Sequence, residues 1–167
     1  LTDITLPEGV TAINSGAFQN CQRLTSFTFG DKLTMIGTDA FHGCTALEKI
    51  TIPESVTTIG NYAFYNTAIT SVHIPKGVTS VGNAAFSRNR LDRITVDAEN
   101  TKYRAAGDCL IDIDKKLLIT AAADPTIPAD GSVTKIGRFA FYGLEMTSIT
   151  IPEGITEIDH NAFDSCK

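Results

Sequence analysis

The sequence lacks long apolar runs and has no excess of positive charge. No stretch of 18 consecutive apolar residues occurs, which argues against a membrane-spanning helix. Lys and Arg number 14 against 19 Asp and Glu, and the net charge of −5 provides no electrostatic footprint for nucleic acid or anionic lipid. Because 43% of its residues are hydrophobic, the chain can still bury a core.

The sequence also has few of the residues that build catalytic or metal sites. Its cysteines, Cys21, Cys44, Cys109 and Cys166, are too few and too scattered for a disulfide framework. No C-x-x-C motif or clustered histidine indicates zinc, and no glycine-rich phosphate loop occurs. His42 lies near Cys44 in sequence, but Cys44 is expected to point inward, so the two do not make a nucleophile and base. We therefore predict a non-catalytic protein without a cofactor or metal.

What the sequence does contain is an internal repeat with a period of about 22 residues. A hydrophobic residue followed by threonine recurs at Val10, Leu33, Val56, Val78, Val133 and Ile155. An Ala-Phe pair follows each of them, at 17–18, 40–41, 63–64, 85–86, 140–141 and 162–163. The pattern L-x-x-I-x-I, with similar residues in some copies, is a third shared feature. The much longer interval between Val78 and Val133 holds one missing copy and an insertion.

The copy ITIPESVTTIGNYAF shows how one period folds. Ile50–Ile52 alternates apolar and polar residues, which predicts a short strand that the following proline ends. Val56–Ile59 predicts a second extended stretch. At Gly60 the other copies have Gly, Asn or Asp, which predicts a left-handed turn. Asn61–Phe64 then predicts a single helical turn with the Phe side chain inward.

One such period cannot fold alone. Burying its apolar residues releases less free energy than ordering its backbone costs, so the copies must stack and share one interior. We expect Phe41, Phe64 and Phe86 to lie inside this shared interior.

The full pattern, L-x-x-I-x-I-P-x-x-V-T-x-I-G-x-x-A-F-x-x-C, resembles the BspA-like leucine-rich repeats over residues 1–96 and 127–166. The resemblance implies an α/β repeat solenoid, a leucine-rich repeat array of about seven 22–23-residue coils. It implies a parallel β-sheet on one side, short strands and single helical turns opposite, and one β-hairpin insert. It also implies a secreted or cell-surface bacterial protein with a role in adhesion and no shared catalytic residues.

Residues 97–126 interrupt the array. Two apolar runs around Asp114 predict a β-hairpin there. The family often carries such a segment, written N-x-x-Y and D-G-x-L-Y-x-x-D, and Asn100 and Tyr103 fit the first part. We predict a longer coil within a single domain, residues 1–167. The chain begins within the pattern at Leu1, so we expect a fragment of a longer protein.

Three acidic residues in the insert do not indicate a calcium site. The spacing of Asp108, Asp112 and Asp114 fits no calcium-binding loop. We expect Ile113 to point inward between two solvated carboxylates.

The outward residues of the first strand in each copy form the candidate binding face, called here the polar strip. These residues are Ser26, Thr28, Lys49, Thr51, Ser71, His73, Arg93, Thr95, Ser148 and Thr150. One interpretation is specific recognition centred on Lys49, His73 and Arg93. The other is a solvated sheet face, since Ser and Thr side chains are weak anchors.

Two further columns follow the repeat. The threonines after the anchors, Thr11, Thr34, Thr57, Thr79, Thr134 and Thr156, are expected to bond the backbone of turns or neighbouring coils. A regular Thr array can also bind ice, but charged residues interrupt the polar strip. Three residues after each Phe stand Cys21, Cys44, Thr67, Asn89, Leu144 and Cys166. These predict an inward ladder of small groups with free thiols, although a Cys21–Cys44 disulfide is an alternative.

Two functions fit the sequence. The first is an extracellular, adhesion-type module of a bacterial cell surface that binds a host or matrix protein or a glycan. The second is a structural spacer that projects other domains. Exposed strands at the ends of the array also predict self-association.

Overall fold

Thirteen short strands and no helix form the stacked coils of the computed structural model, which describes residues 1–167. The strands are β1 (Asp3–Thr5), β2 (Ala12–Ile13), β3 (Ser26–Thr28), β4 (Met35–Ile36), β5 (Thr58–Ile59), β6 (Ser71–Ile74), β7 (Ser80–Val81), β8 (Arg93–Val96), β9 (Tyr103–Ala106), β10 (Cys109–Asp112), β11 (Leu117–Ala121), β12 (Lys135–Ile136) and β13 (Glu157–Ile158). The structure has no helix of the length and hydrophobicity that a bilayer span needs. The solenoid of about seven coils agrees with the sequence analysis.

The second strand of each coil builds the longest parallel sheet, in the order β2-β4-β5-β7. Ile13 pairs with Ile36, Ile36 with Ile59, and Ile59 with Val81. The first three of these side chains are buried. Beyond the insert, β11, β12 and β13 continue with parallel pairs. The repeat length therefore sets the register, because each coil places the same residue beside its neighbour.

The predicted parallel sheet of first strands forms only in part. Only β1 pairs with β3 and only β6 with β8, so this side holds two separate pairs of strands. Ile50–Ile52 is not a strand, and residues 48–52 make no backbone hydrogen bond to either neighbouring coil. Leu47 and Ile52 are nevertheless buried. Hydrophobic burial holds this segment in place. The alternating pattern indicates which side chains are buried, and it does not show that the strands pair.

The predicted helical turn is also wrong, because tandem β-turns replace it. The Ala63 and Tyr65 N–H groups donate to the carbonyl oxygens three residues back, at 3.4 and 3.1 Å. The intervening Phe64 N–H donates to the Ala85 oxygen of the next coil, at 2.8 Å. Tyr62 and Asn66 have positive φ, which suits the third residue of a type II turn and prevents a helix. Half of the turn's N–H groups thus bond between coils; we call this side of the solenoid the turn face.

The Gly60 position is not left-handed, in contrast to the prediction. None of its equivalents, Asn14, Gly37, Gly60, Gly82, Gly137 and Asp159, has positive φ; the left-handed residue comes two positions later. A Cβ atom on Gly60 would lie 2.5 Å from the Thr38 backbone nitrogen of the preceding coil. Glycine is needed here because two backbones approach closely, not because of its φ.

Stacked phenylalanine rings form the interior. Phe18, Phe41, Phe64 and Phe86 follow one another with ring centroids 5.3, 5.2 and 5.6 Å apart. The last three rings are at most 1% exposed, as predicted. Phe141 and Phe163 stack separately, at 4.8 Å. The buried residues accordingly form two hydrophobic clusters, one before and one beyond the insert.

The insert separates these clusters. The predicted hairpin is confirmed as β10 and β11, and β9 adds a third antiparallel strand. Leu110 and Ile119 face the first cluster, whereas Ile111 and Leu118 face the second. The two runs are continuously apolar because both faces of the hairpin are covered.

The exposure of Asp112 and Ile113 is the reverse of the prediction. Ile113 is 40% exposed, and Asp112 is 1% exposed. Burial alone would raise the pKa of Asp112, but the Lys115 backbone N–H and the Lys102 ammonium lower it below its usual value. The Asp112 carboxylate lies 3.2 Å from Lys102 Nζ and 3.4 Å from Lys115 Nζ, so an ion-paired carboxylate anchors the turn of the hairpin.

Both predicted polar ladders are confirmed. Thr34, Thr57, Thr79 and Thr156 donate their hydroxyls to the equivalent threonine carbonyl of the preceding coil, at 3.0–3.4 Å. Cys44, Asn89 and Cys166 donate to the Phe carbonyl of the preceding coil, at 3.1, 2.7 and 3.1 Å. All four cysteines carry free thiols. Each of these threonine carbonyls also accepts the backbone N–H of the same neighbouring threonine, so the hydroxyls add a second hydrogen bond between coils.

Gly60→Ala tests the close approach of the coils. We expect it to lower the free energy of unfolding by about 1–3 kcal/mol, because the added methyl group meets backbone that cannot move aside. Gly9→Ala is the matched control, since a Cβ there has no atom within 4 Å. Chemical denaturation of both variants gives the comparison, and equal stability of the two would contradict this account.

The thiols provide a second test. Burial raises the pKa of Cys44 to about 11 and that of Cys109 to about 12, so neither is a thiolate at pH 8. A thiol reagent should therefore modify the half-buried Cys21 and Cys166 well before the other two. In denaturant without reductant all four should react. Fewer than four reactive thiols, or rapid native modification of Cys44, would show the ladder to be wrong.

Candidate functional site

The polar strip lies on the outer surface of the first-strand side. Nine of its residues are exposed and Thr95 is half-buried. Lys49 and Arg93 make no ion pair, while His73 Nδ1 lies 3.0 Å from Thr95 Oγ1. The strip crosses the gap between the two strand pairs, and so it is less regular than a continuous sheet would be. Its use as a binding face stays a prediction.

Sequence reasoning missed an aromatic patch on the turn face, formed by Tyr62, Tyr65, Phe139 and Tyr142. The Tyr62 and Phe139 ring centroids are 6.0 Å apart, and those of Tyr65 and Tyr142 are 5.9 Å apart. All four side chains are half-buried, so each is partly accessible to solvent. They line a surface depression of about 450 Å³ together with Asp39, His42, Asn161 and Asp164.

The insert brings these rings together although Tyr62 and Phe139 are far apart in sequence, on opposite sides of the insertion. The longer coil has no tandem turn, so the fourth and sixth coils meet on the turn face, where Ser87 Oγ donates to the Phe139 oxygen at 3.1 Å. The fourth coil places Ala84 and Ser87 at the aromatic positions, and both are buried. The sequence signal was the pair of aromatic residues that flank Ala-Phe in two copies only.

Two residues of the aromatic patch have an unfavourable, left-handed backbone conformation. Tyr62 has a φ of 54° and Phe139 a φ of 60°. The equivalent positions in other coils are Gly16, Asp39, Ala84 and Asn161, and of these residue types Gly, Asp and Asn tolerate this region. A left-handed residue with a side chain costs about 1–2 kcal/mol. Bulky aromatic residues there indicate local strain of the kind that accumulates at functional sites.

Charged groups surround the aromatic patch. His42 Nδ1 lies 2.8 Å from Asp39 Oδ1, and the guanidinium of Arg138 lies 4.6 Å from the centre of the Phe139 ring. Burial raises the pKa of the Tyr65 hydroxyl, which is therefore neutral at physiological pH. The depression combines apolar ring faces with hydroxyl, amide and carboxylate groups at its edge, a composition suited to an amphipathic ligand.

A larger groove lies beside the aromatic patch. It has a volume of about 1090 Å³ and is lined by polar residues for the most part, with Arg88, Arg90, Glu48 and Glu145 among them. It lies where the insert coil has no turn, between Asn66 and Gly143, which directly follow Tyr65 and Tyr142. The two depressions have no lining residue in common, but their lining residues are neighbours in the chain at these two points.

The predicted self-association concerns the ends of the array. Ile158 in β13 is 51% exposed and Ile151 in the same coil is 38% exposed. An apolar strand edge of this kind can pair with a second chain. Self-association remains a prediction.

The family comparison agrees with the resemblance seen in the sequence. The description "BspA type Leucine rich repeat region" matches in six copies, over residues 1–106 and 122–167. No curated protein matches the sequence.

Several solved structures are similar to the chain over nearly its whole length. A leucine-rich repeat protein from Eubacterium ventriosum is 26% identical, with a TM-score of 0.81, and the alignment covers 100% of this chain and 52% of that one. A leucine rich cell surface protein from Faecalibacterium prausnitzii is 27% identical, with a TM-score of 0.65 and coverage of 99% and 59%. A leucine-rich repeat protein from Bacteroides ovatus is 26% identical, with a TM-score of 0.67 and coverage of 95% and 45%. The chain thus spans about half the length of these proteins.

Tyr62→Gly tests whether the aromatic patch is structural. Loss of the contacts of the Tyr62 ring should lower the free energy of unfolding by about 0.5–1.5 kcal/mol. Relief of the left-handed strain should raise it by about 1–2 kcal/mol. We therefore expect unfolding stability to change by less than about 1 kcal/mol. Phe64→Ala, in the same coil, should cost about 3–5 kcal/mol. If Tyr62→Gly destabilised the chain as strongly as Phe64→Ala, the ring would be part of the core.

Proposed function

The chain belongs to the BspA-type leucine-rich repeat family, and we propose that it is a non-catalytic, adhesion-type binding module of a bacterial cell surface. Its partner in this proposal is a host or matrix protein or a glycan outside the cell. The similarity to a leucine rich cell surface protein from Faecalibacterium prausnitzii, 27% identical, supports the location. The family repeat supports binding rather than chemistry.

The aromatic patch is the observation that carries this proposal. Aromatic rings supply large contact areas at a low cost in conformational entropy, and they are enriched where binding energy concentrates. Tyr62 and Phe139 hold their rings at left-handed positions that favour Gly, Asn or Asp. Such strain persists where another requirement offsets it. Partner recognition is a requirement of that kind.

The adjoining groove extends the contact surface. Its volume of about 1090 Å³ is enough for an extended peptide segment or an oligosaccharide. Arg88, Arg90, Glu48 and Glu145 all line it, so it offers hydrogen-bond donors and acceptors with charges of both signs. A partner seated on the rings of the patch would place its polar groups in this groove.

The structural spacer is the second candidate function. Its support is the coil stacking itself, which makes a rigid rod and needs no ligand. A spacer has no need for aromatic rings at its surface, and so the aromatic patch favours the binding module.

Binding of the purified chain to immobilised matrix glycoproteins and to a glycan array tests the proposal. Tyr62→Ala combined with Tyr142→Ala should weaken binding at least about 30-fold, which corresponds to a loss of about 2 kcal/mol. The comparison variant replaces Lys49, His73 and Arg93 by Ala and should bind as the wild type does.

The two variants separate the candidate surfaces. Loss of binding in the triple variant alone would assign recognition to the polar strip instead of the aromatic patch. A chain that binds no protein or glycan of either panel would favour the spacer. Equal thermal unfolding of all three proteins is the control that folding is intact.

A further inference from the structure

Three potential metal ligands from successive coils meet at the edge of the polar strip, around His73, which is one of its residues. A carboxylate oxygen of Glu54, a ring nitrogen of His73 and a carboxylate oxygen of Asp97 all lie within 4.8 Å of one another. Glu54 follows the first apolar segment of the third coil, His73 lies in β6, and Asp97 directly follows β8. The three residues are far apart and unequally spaced in the sequence, so no sequence motif indicates the cluster.

The hydrogen bonds of His73 leave one ring nitrogen free. Thr95 faces His73 across the β6–β8 pair, and its hydroxyl donates to the Val72 carbonyl oxygen at 3.4 Å. Having donated its one hydrogen, Thr95 Oγ1 accepts the Nδ1–H of His73 at 3.0 Å. In this arrangement a neutral His73 ring carries its lone pair on Nε2. A metal-binding histidine is oriented by an outer partner in the same way.

The two carboxylates also have free oxygens. Glu54 makes no side-chain hydrogen bond and no ion pair, whereas one Asp97 oxygen accepts the Glu99 N–H at 2.8 Å and its other oxygen remains free. The main chain of Asp97 is fixed by a 3.0 Å hydrogen bond from its N–H to the Ile74 oxygen. One ligand is thus held by the sheet, and Glu54 is free to adjust.

The local charge favours a cation. Lys76 is the nearby positive group, and its ammonium is occupied by Glu99 Oε2 at 3.1 Å. The hydrogen bond to Glu99 is the main cause of the raised pKa of Lys76, and Glu54 and Asp97 contribute to it. With Lys76 paired to Glu99, the carboxylates of Glu54 and Asp97 make no ion pair of their own.

We propose that Glu54, His73 and Asp97 form a site for a divalent transition metal of the Zn²⁺ class. An imidazole with two carboxylates suits zinc better than the all-oxygen sites of Ca²⁺ or Mg²⁺. Tetrahedral coordination brings ligand atoms to about 3.4 Å from one another, and the exposed Glu54 side chain, which no hydrogen bond holds, can rotate toward this geometry.

A metal at this site has two consequences. It links three successive coils on the side where the first strands do not form a continuous sheet. Three protein ligands also leave a fourth position open to water or to a ligand from outside. That open position lies on the polar strip, away from the aromatic patch.

Titration of the reduced chain with Zn²⁺ by calorimetry tests the proposal directly, without a binding partner. We expect one strong site per chain, and excess Zn²⁺ should raise the melting temperature by roughly 5 °C. His73→Ala should remove both effects. Thr95→Val should keep the site but weaken Zn²⁺ binding about 10-fold, because His73 loses the acceptor that fixes its tautomer.

His42→Ala and His160→Ala are the matched controls, since each of these histidines also lies beside an aspartate, at 2.8 and 2.6 Å. Both variants should bind Zn²⁺ as the wild type does. Titration with Co²⁺ adds a spectroscopic test, and it should give no thiolate-to-metal absorption band. A thiolate band, an unaltered affinity in His73→Ala, or no strong site at all would each overturn the proposal.

Discussion

The spacing between coils is the constraint on which the rest of the structure depends. The interior phenylalanine rings stack at 5.2–5.6 Å, close to the distance between hydrogen-bonded strands. At that spacing backbone groups of adjacent coils can bond directly, and there is no room for a Cβ atom at Gly60. The same spacing lets each threonine hydroxyl reach the carbonyl of the preceding threonine. Close packing and hydrogen bonding therefore require the same repeat distance and reinforce each other.

The insert is the one large irregularity, and the candidate site follows from it. The hairpin covers an apolar cluster on each of its faces, so it fits into the array without exposing a core. It contributes no tandem turn, however, and the coils on either side of it meet on the turn face. Tyr62 and Phe139 become neighbours for this reason, and the groove beside them is the space that the missing turn would fill.

Sequence reasoning succeeded where a signal recurs in every copy. The inward phenylalanines, the threonine ladder, the cysteine ladder and the hairpin could be predicted because burial and hydrogen bonding leave a residue pattern. The pairing of the first strands could not be predicted, because alternation of apolar and polar residues indicates which side chains are buried and not which strands pair. Gly60 was misinterpreted because a close backbone approach and a positive φ select the same residue. The aromatic patch and the Glu54–His73–Asp97 cluster join different coils, and one period read alone does not contain them.

The aromatic patch occupies a position of the repeat whose side chain varies from coil to coil. Gly16, Asp39, Tyr62, Ala84, Phe139 and Asn161 are equivalent in the array, yet they share no side-chain chemistry. The backbone conformation is common to all six, so the coil spacing fixes the backbone and leaves the side chain free. A solenoid of this kind can therefore change its surface chemistry without altering its core. Residues that differ between copies at a structurally fixed position are consequently the best guide to function, and aromatic residues at strained positions are the clearest of these.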